Sequence, residues 1–144
     1  MSVEAPDYRD AELVIRLYEL RREPVMRASR DAMNAKFLPR TADECIAVTK
    51  PDHPHNAAFR QVSTYWEMVY GMAHHKIAHA EYLVENAAEG LLLFAKIAPH
   101  LETLRTNVSR TVFQHAEWVA QNTAIGRLRF EQFTKRIAAQ LAAK

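Results

Sequence analysis

Phe59, Val62, Trp66, Val69 and Ala73 recur at spacings of three and four residues, and Ile77 continues the series. That is the repeat of one face of an α-helix, and a stripe this long leaves little room for another reading. Similar stripes run through Leu13, Leu17 and Leu20, through Val112, Ala116, Val119 and Ala120, and through Leu128, Phe130, Phe133, Ile137 and Leu141. No stretch alternates in the period-two manner of a half-buried strand. With only 3 glycines in 144 residues, tight turns should be few and elements long. These features predict an all-α fold, a bundle of about five to six helices forming one domain over residues 1–144.

Local signals divide the chain. Asp7 can cap a first helix. Pro24 interrupts that helix, because its ring removes a ladder hydrogen bond and clashes with the preceding turn, so the helix should kink at Pro24 or end near Glu23. A helical pattern resumes through Val25, Ala28, Ala32 and Phe37. Thr41-Ala42-Asp43-Glu44 has the spacing of a capping box and predicts a short helix over 42–48. The two prolines of Lys50-Pro51-Asp52-His53-Pro54 make 50–56 a surface loop and a candidate mobile segment, with Asn56 placed to cap the next helix. A later helix should pass or kink at Pro99 and run on through Leu104, Ser109 should cap another, and Gly126 should break or bend the chain before a final basic amphipathic helix over 127–143.

The helix bearing Trp66 has a second, softer face made by Met68, Met72 and His75. Two apolar faces on one helix suit burial on one side and an interface on the other. The net charge of +2 is too small to demand a nucleic-acid partner. The basic excess is local: Arg127, Arg129, Lys135, Arg136 and Lys144 face only Glu131 after position 126. Such a helix could meet an anionic surface, although cations near a helix C-terminus also serve its dipole.

Residues Leu17-Tyr18-Glu19-Leu20-Arg21-Arg22-Glu23, Tyr65-Trp66-Glu67-Met68 and Lys96-Ile97-Ala98-Pro99, with Leu101 and Arg105, carry a resemblance. From Leu13 to about Thr106 the chain resembles a family of small bacterial helical proteins of unknown function. The resemblance implies a helical fold and no known activity. It also implies a turn shortly after the Trp helix, where similar proteins show Gly-x-Ile and this chain has His75-Lys76-Ile77. The resemblance thus favours a break near Lys76 and a new helix near His79, whereas periodicity alone would continue one helix to Glu85.

Few side-chain groups suggest chemistry. On a continuous helix His75 and His79 would be one turn apart and could share a metal ion, with His100, His115 or Glu117 as a third ligand. A break at Lys76 removes that geometry, and the default for these histidines is a place at a helix junction. His53 and His55 sit in the loop as solvated residues. Cys45 lacks the setting of a reactive thiol and reads as a small, partly buried apolar residue. Tyr65, Trp66 and Tyr70 read as core. No nucleophile elbow or glycine-rich phosphate loop occurs. The sequence therefore points away from an enzyme and implies no cofactor. It favours a structural or protein-interaction module, a homodimer formed by one helical face, with a protein partner possible. A small-ligand or metal protein using His74 to His79 is the alternative, and nucleic-acid or anionic-surface binding through the final helix a further one. The lone cysteine, the absence of a basic, apolar leader at Met1–Asp7 and the lack of a membrane span give a cytoplasmic expectation.

Overall fold

The computed structural model describes residues 4–143, so Met1 to Val3 of the leader argument and Lys144 of the basic set lie outside the described residues. The described chain is all-helical. The helices are α1 (Tyr8–Arg21), α2 (Pro24–Ala35), α3 (Ala42–Val48), α4 (Asn56–His74), α5 (Ala80–Asn86), α6 (Gly90–Ile97), α7 (Leu101–Asn107), α8 (Gln114–Asn122) and α9 (Ala124–Ala142). A single 3-10 turn, Ala98–His100, carries Pro99 between α6 and α7. The helices outnumber the five to six expected because several stripes that read as continuous are cut by turns.

Most boundaries follow local chemistry. Asp7 caps α1 in a full capping box with Asp10. Pro24 does not kink a long helix. It opens a new one, since its missing N–H and fixed φ cost nothing at the first helical position, and Glu23 caps α2 through the N–H groups of Val25 and Met26. Thr41 caps α3, but Glu44 reaches back one residue further than in the standard box and accepts from the N–H of Arg40. The 50–56 segment is a series of hydrogen-bonded turns. Asn56 is not the cap of α4. It is the first residue of that helix, buried, and donates through Nδ2 to the carbonyl of Val48 at 2.9 Å.

α4 runs through the middle, with α2 and α8 against it, while α9 lies over α6, α8 and α5. Its main stripe is core as expected, from Phe59 to Ala73. Trp66 stacks on Tyr70 and meets Tyr65 edge-on. The phenols are anchored on carbonyls, Tyr65 donating to Leu17 at 2.6 Å and Tyr70 to Ala87 at 2.8 Å. Ile77 departs from the stripe. The helix ends at His74, Lys76 adopts a left-handed φ of 60°, and Ile77 is 72% exposed. The break suggested by the resemblance is therefore present, without the glycine.

α6 is more deeply enclosed than α4, since every residue from Gly90 to Ile97 is buried, Lys96 included. Gly90 makes this possible. A Cβ there would stand 2.6 Å from the Trp66 ring and 2.7 Å from the Tyr70 hydroxyl. A smaller cluster of Leu92, Ala95 and Ile137, with Phe130, Phe133 and Leu141, fixes α9 to α6.

The last two expected boundaries move. α8 is not capped by Ser109. Its N-cap is Phe113, and residues 109–113 are turns. Gly126 does not break the chain either. Thr123 does, three residues earlier, so the final helix starts at Ala124 rather than 127. The buried Thr123 hydroxyl donates to the carbonyl of Val119 and accepts from the N–H of Gly126, at 2.8 and 2.9 Å. Gly126 is needed for closeness, because a Cβ would collide with the Val119 carbonyl. Leu128, placed in the stripe by spacing, faces solvent.

Candidate functional site

Glu67, Gly71 and His74 fall at i, i+4 and i+7 and share the face of α4 that meets the start of α8. That start is unusual. Phe113 precedes it with φ 54° and ψ 29°, a left-handed backbone on a bulky residue. Such a conformation costs about 1–2 kcal/mol and persists only where the surroundings hold it. The phenyl ring is buried between Phe59 and Phe94, each with its centroid 6.1 Å away. A phenylalanine cannot accept a hydrogen bond, so α8 has no cap of its own.

Glu67 supplies one from another helix. Its two carboxylate oxygens accept from the N–H of His115 at 3.1 Å and of Ala116 at 2.8 Å. Burial pushes the Glu67 carboxyl up, partly offset by these two hydrogen bonds and by Arg105 and His74. Glu81 does the same for α9, accepting from Ala124 and Ile125. Asp10 on α1 accepts from the N–H of His79, the residue that caps α5. Three helix starts are thus held by carboxylates from elsewhere in the chain.

The His115 ring lies over Gly71, where a Cβ would come within 3.3 Å of it. Its Nδ1 is 2.9 Å from Nδ1 of His74, so one ring must donate and the other accept. His74 stacks on Trp118 at 4.7 Å, and the exposed His75 stacks on His74 at 5.5 Å. Burial holds both His74 and His115 below the ordinary imidazole value, with neighbouring imidazoles adding to the effect. On the far side of α8, Arg105 pairs with Glu117 at 3.1 Å and donates to the Val112 carbonyl. A groove of about 400 Å³ opens between α4, the 108–113 segment and the start of α8, lined by Phe59, Leu104 and Phe113.

The structure therefore regroups the histidines. His75 and His79 are not one turn apart, because the helix stops at His74. His79 accepts from the N–H of Tyr82 as the cap of α5. The residues that do meet are His74, His75 and His115. Among the described residues no three ligating side chains are placed to hold a metal ion.

The softer face of α4 is also only partly as expected. Met68 and His75 are exposed, but Met72 is half-buried against the core. On α9 the residues Arg127, Arg129, Lys135 and Arg136 are all exposed, yet they form no single patch. At about 100° per residue, Arg129 and Arg136 share one side and Arg127 and Lys135 lie away from it. Arg127 donates to the carbonyl of Gln121, Arg129 to Gln132, and Lys135 pairs with Glu131.

A family model described as a domain of unknown function, DUF4760, matches residues 8–123. The chain belongs to the DUF4760 family. The match begins with α1 and ends on Thr123, the cap of α9. No curated protein and no solved structure matches the chain. No helix among the described residues is long and apolar enough to cross a membrane.

Sequence reasoning missed Glu67 and Glu81 as remote caps. A usable signal existed for Lys96, a charge inside the run Leu91-Leu92-Leu93-Phe94-Ala95-Lys96-Ile97.

Proposed function

We propose that this member of the DUF4760 family is a non-enzymatic helical interaction module that pairs with a second copy of itself through the outer face of α1. The observation behind this reading is the exposed apolar seam on that helix. Tyr8 is 65% exposed, Ile15 59% and Tyr18 51%. With Ala11 between them they are spaced three, four and three, the register in which one helix packs along another. Isolated exposed apolar residues need no explanation, but three aligned on one face over three turns mark that face, with Arg9 against Tyr8 and Arg21 and Arg22 against Tyr18 at its ends. The spacing selects a helix as the occupant, and α1 of a second copy carries the matching seam. Closed pairing of identical faces is the commonest form of assembly. The surface differs from the Met68, Met72 and His75 face, which loses Met72 to the core.

Light scattering coupled to size exclusion, run from micromolar to near-millimolar protein, tests the proposal. A dimer is expected, and Ile15→Glu should return it to monomer with unchanged helical content by circular dichroism. A wild-type monomer throughout this range overturns the reading, as does a dimer that Ile15→Glu leaves intact.

A further inference from the structure

Lys96 is the one charged residue of the wholly buried α6 and is itself only 3% exposed. A buried ammonium is costly without a partner, and the usual partner is a carboxylate. Lys96 has none within 4.0 Å, since the ion pairs among the described residues involve Arg30, Arg105 and Lys135. The carboxylate of Glu89 is spent on Arg30 and Asn34. Nζ of Lys96 instead donates to the carbonyls of Met33 at 2.7 Å and Asn34 at 3.0 Å, in the last turn of α2. An ammonium has three donors, so one is left over.

Beside it a groove of about 610 Å³ separates the end of α2 from α9. Lys36, Lys96 and Arg136 line this groove, and Asp31 is the one acid on its wall. Desolvation and the neighbouring Arg136 guanidinium together hold the Lys96 ammonium down to about 8. Three cations and one acid thus line a partly enclosed space, Lys96 deep in it and Arg136 at its exposed rim. Phe37 and Leu38 give the groove an apolar side.

We propose that this groove binds a small phosphate-bearing organic molecule, its phosphoryl oxygens held by Lys96 and Arg136 and its apolar part against Phe37 and Leu38. A planar guanidinium offers a fork to two phosphate oxygens while an ammonium meets a third as a point charge. The anion would neutralise both cations at once. The site joins α2 and α6 to α9, the helix that follows the matched family region.

Phenyl phosphate titrated into the full chain at constant ionic strength, followed by amide NMR, is the test. Saturable shifts clustered at Lys96, Arg136 and the end of α2 are expected. Arg136→Gln should weaken the dissociation constant about tenfold, the effect of losing a charge-assisted hydrogen-bond pair. Lys135→Gln removes the same charge one residue away, outside the groove, and should bind as the wild type does. Lys96→Met should abolish the shifts; should that variant not fold, the Arg136→Gln and Lys135→Gln comparison decides alone. Shifts that never saturate, equal weakening by Lys135→Gln, or equal binding of phenylacetate each overturn the proposal.

Discussion

Nδ1 of His74 and Nδ1 of His115 share one proton across 2.9 Å, which ties the last turn of α4 to the first turn of α8. The bond survives only while one ring is neutral and accepts. Both imidazoles are held below the ordinary value of 6.5, mainly by burial. Below that value the unfolded chain binds protons that the folded chain resists, so stability falls as the pH drops through 6.5 toward the folded values. Glu67 acts in the opposite sense. Its carboxyl is pushed above 4.5, so its contribution is lost as the pH rises from 4.5 toward the folded value. The two trends overlap between 4.5 and 6.5. Thermal unfolding followed from pH 7 to pH 4.5 should therefore show a steeper acid loss in Glu67→Gln than in wild type, and a shallower one in His115→Gln. Parallel curves for all three proteins would refute this assignment.

Lys76 holds a left-handed φ of 60° at the break after α4 and is exposed, with no side-chain hydrogen bond or ion pair among the described residues. The conformation costs a non-glycine residue about 1–2 kcal/mol. Lys76→Gly should therefore stabilise the protein by about 1 kcal/mol, raising Tm by roughly 3–5 °C for a chain of this size. A fall in Tm would mean that the lysine stem contributes packing that outweighs its backbone strain.

Gly90→Ala should do the reverse. The added methyl has no space between the Trp66 ring and the Tyr70 hydroxyl. Either α6 shifts outward or Tyr70 gives up its 2.8 Å bond to the Ala87 carbonyl. Overpacking of this kind costs about 1–3 kcal/mol, measurable as a lower midpoint in urea with an unchanged slope. Gly→Ala inside an exposed helix stabilises, so a higher midpoint would show that the Trp66 pocket is looser than these distances require.

What could be read from the sequence was local. Asp7 and Thr41 announced their helices because a cap acts on the next three residues, and the Phe59 to Ala73 stripe announced the core because its period is fixed by the helix. Thr123 was hidden behind Gly126 because glycine usually marks a break through its backbone freedom. Here its small size is what matters. The start of α8 was invisible for another reason. Its cap, Glu67, is distant in sequence and becomes a neighbour only after α4 and α8 pack, and Phe113 bears no mark of the left-handed backbone that packing imposes. The histidine site was half legible: spacing put His75 and His79 together with His115 as one candidate third group, whereas in the fold His115 meets His74 and His75, and His79 turns away to cap α5. Lys96 could have been noticed, since a charge in an otherwise apolar run of seven needs a buried partner.

Cys45 gives a probe of how firmly α3 is held. It is fully buried, and burial, with a smaller contribution from Glu44, pushes its thiol up to about 12. The thiolate is the reacting species, so at pH 8 the folded protein presents almost none of it, and no reagent reaches the sulfur without an opening of the helix. Native protein mixed with a disulfide reagent at pH 8 should therefore label slowly, at a rate set by local or global opening, while protein in guanidinium labels at once. Thr41→Ala removes the hydroxyl that accepts from the Glu44 N–H, which should weaken α3 by about 1 kcal/mol. If α3 opens by itself, that variant should label several-fold faster with little change in global stability. If labelling instead tracks the global unfolding free energy in both proteins, α3 opens only with the whole core.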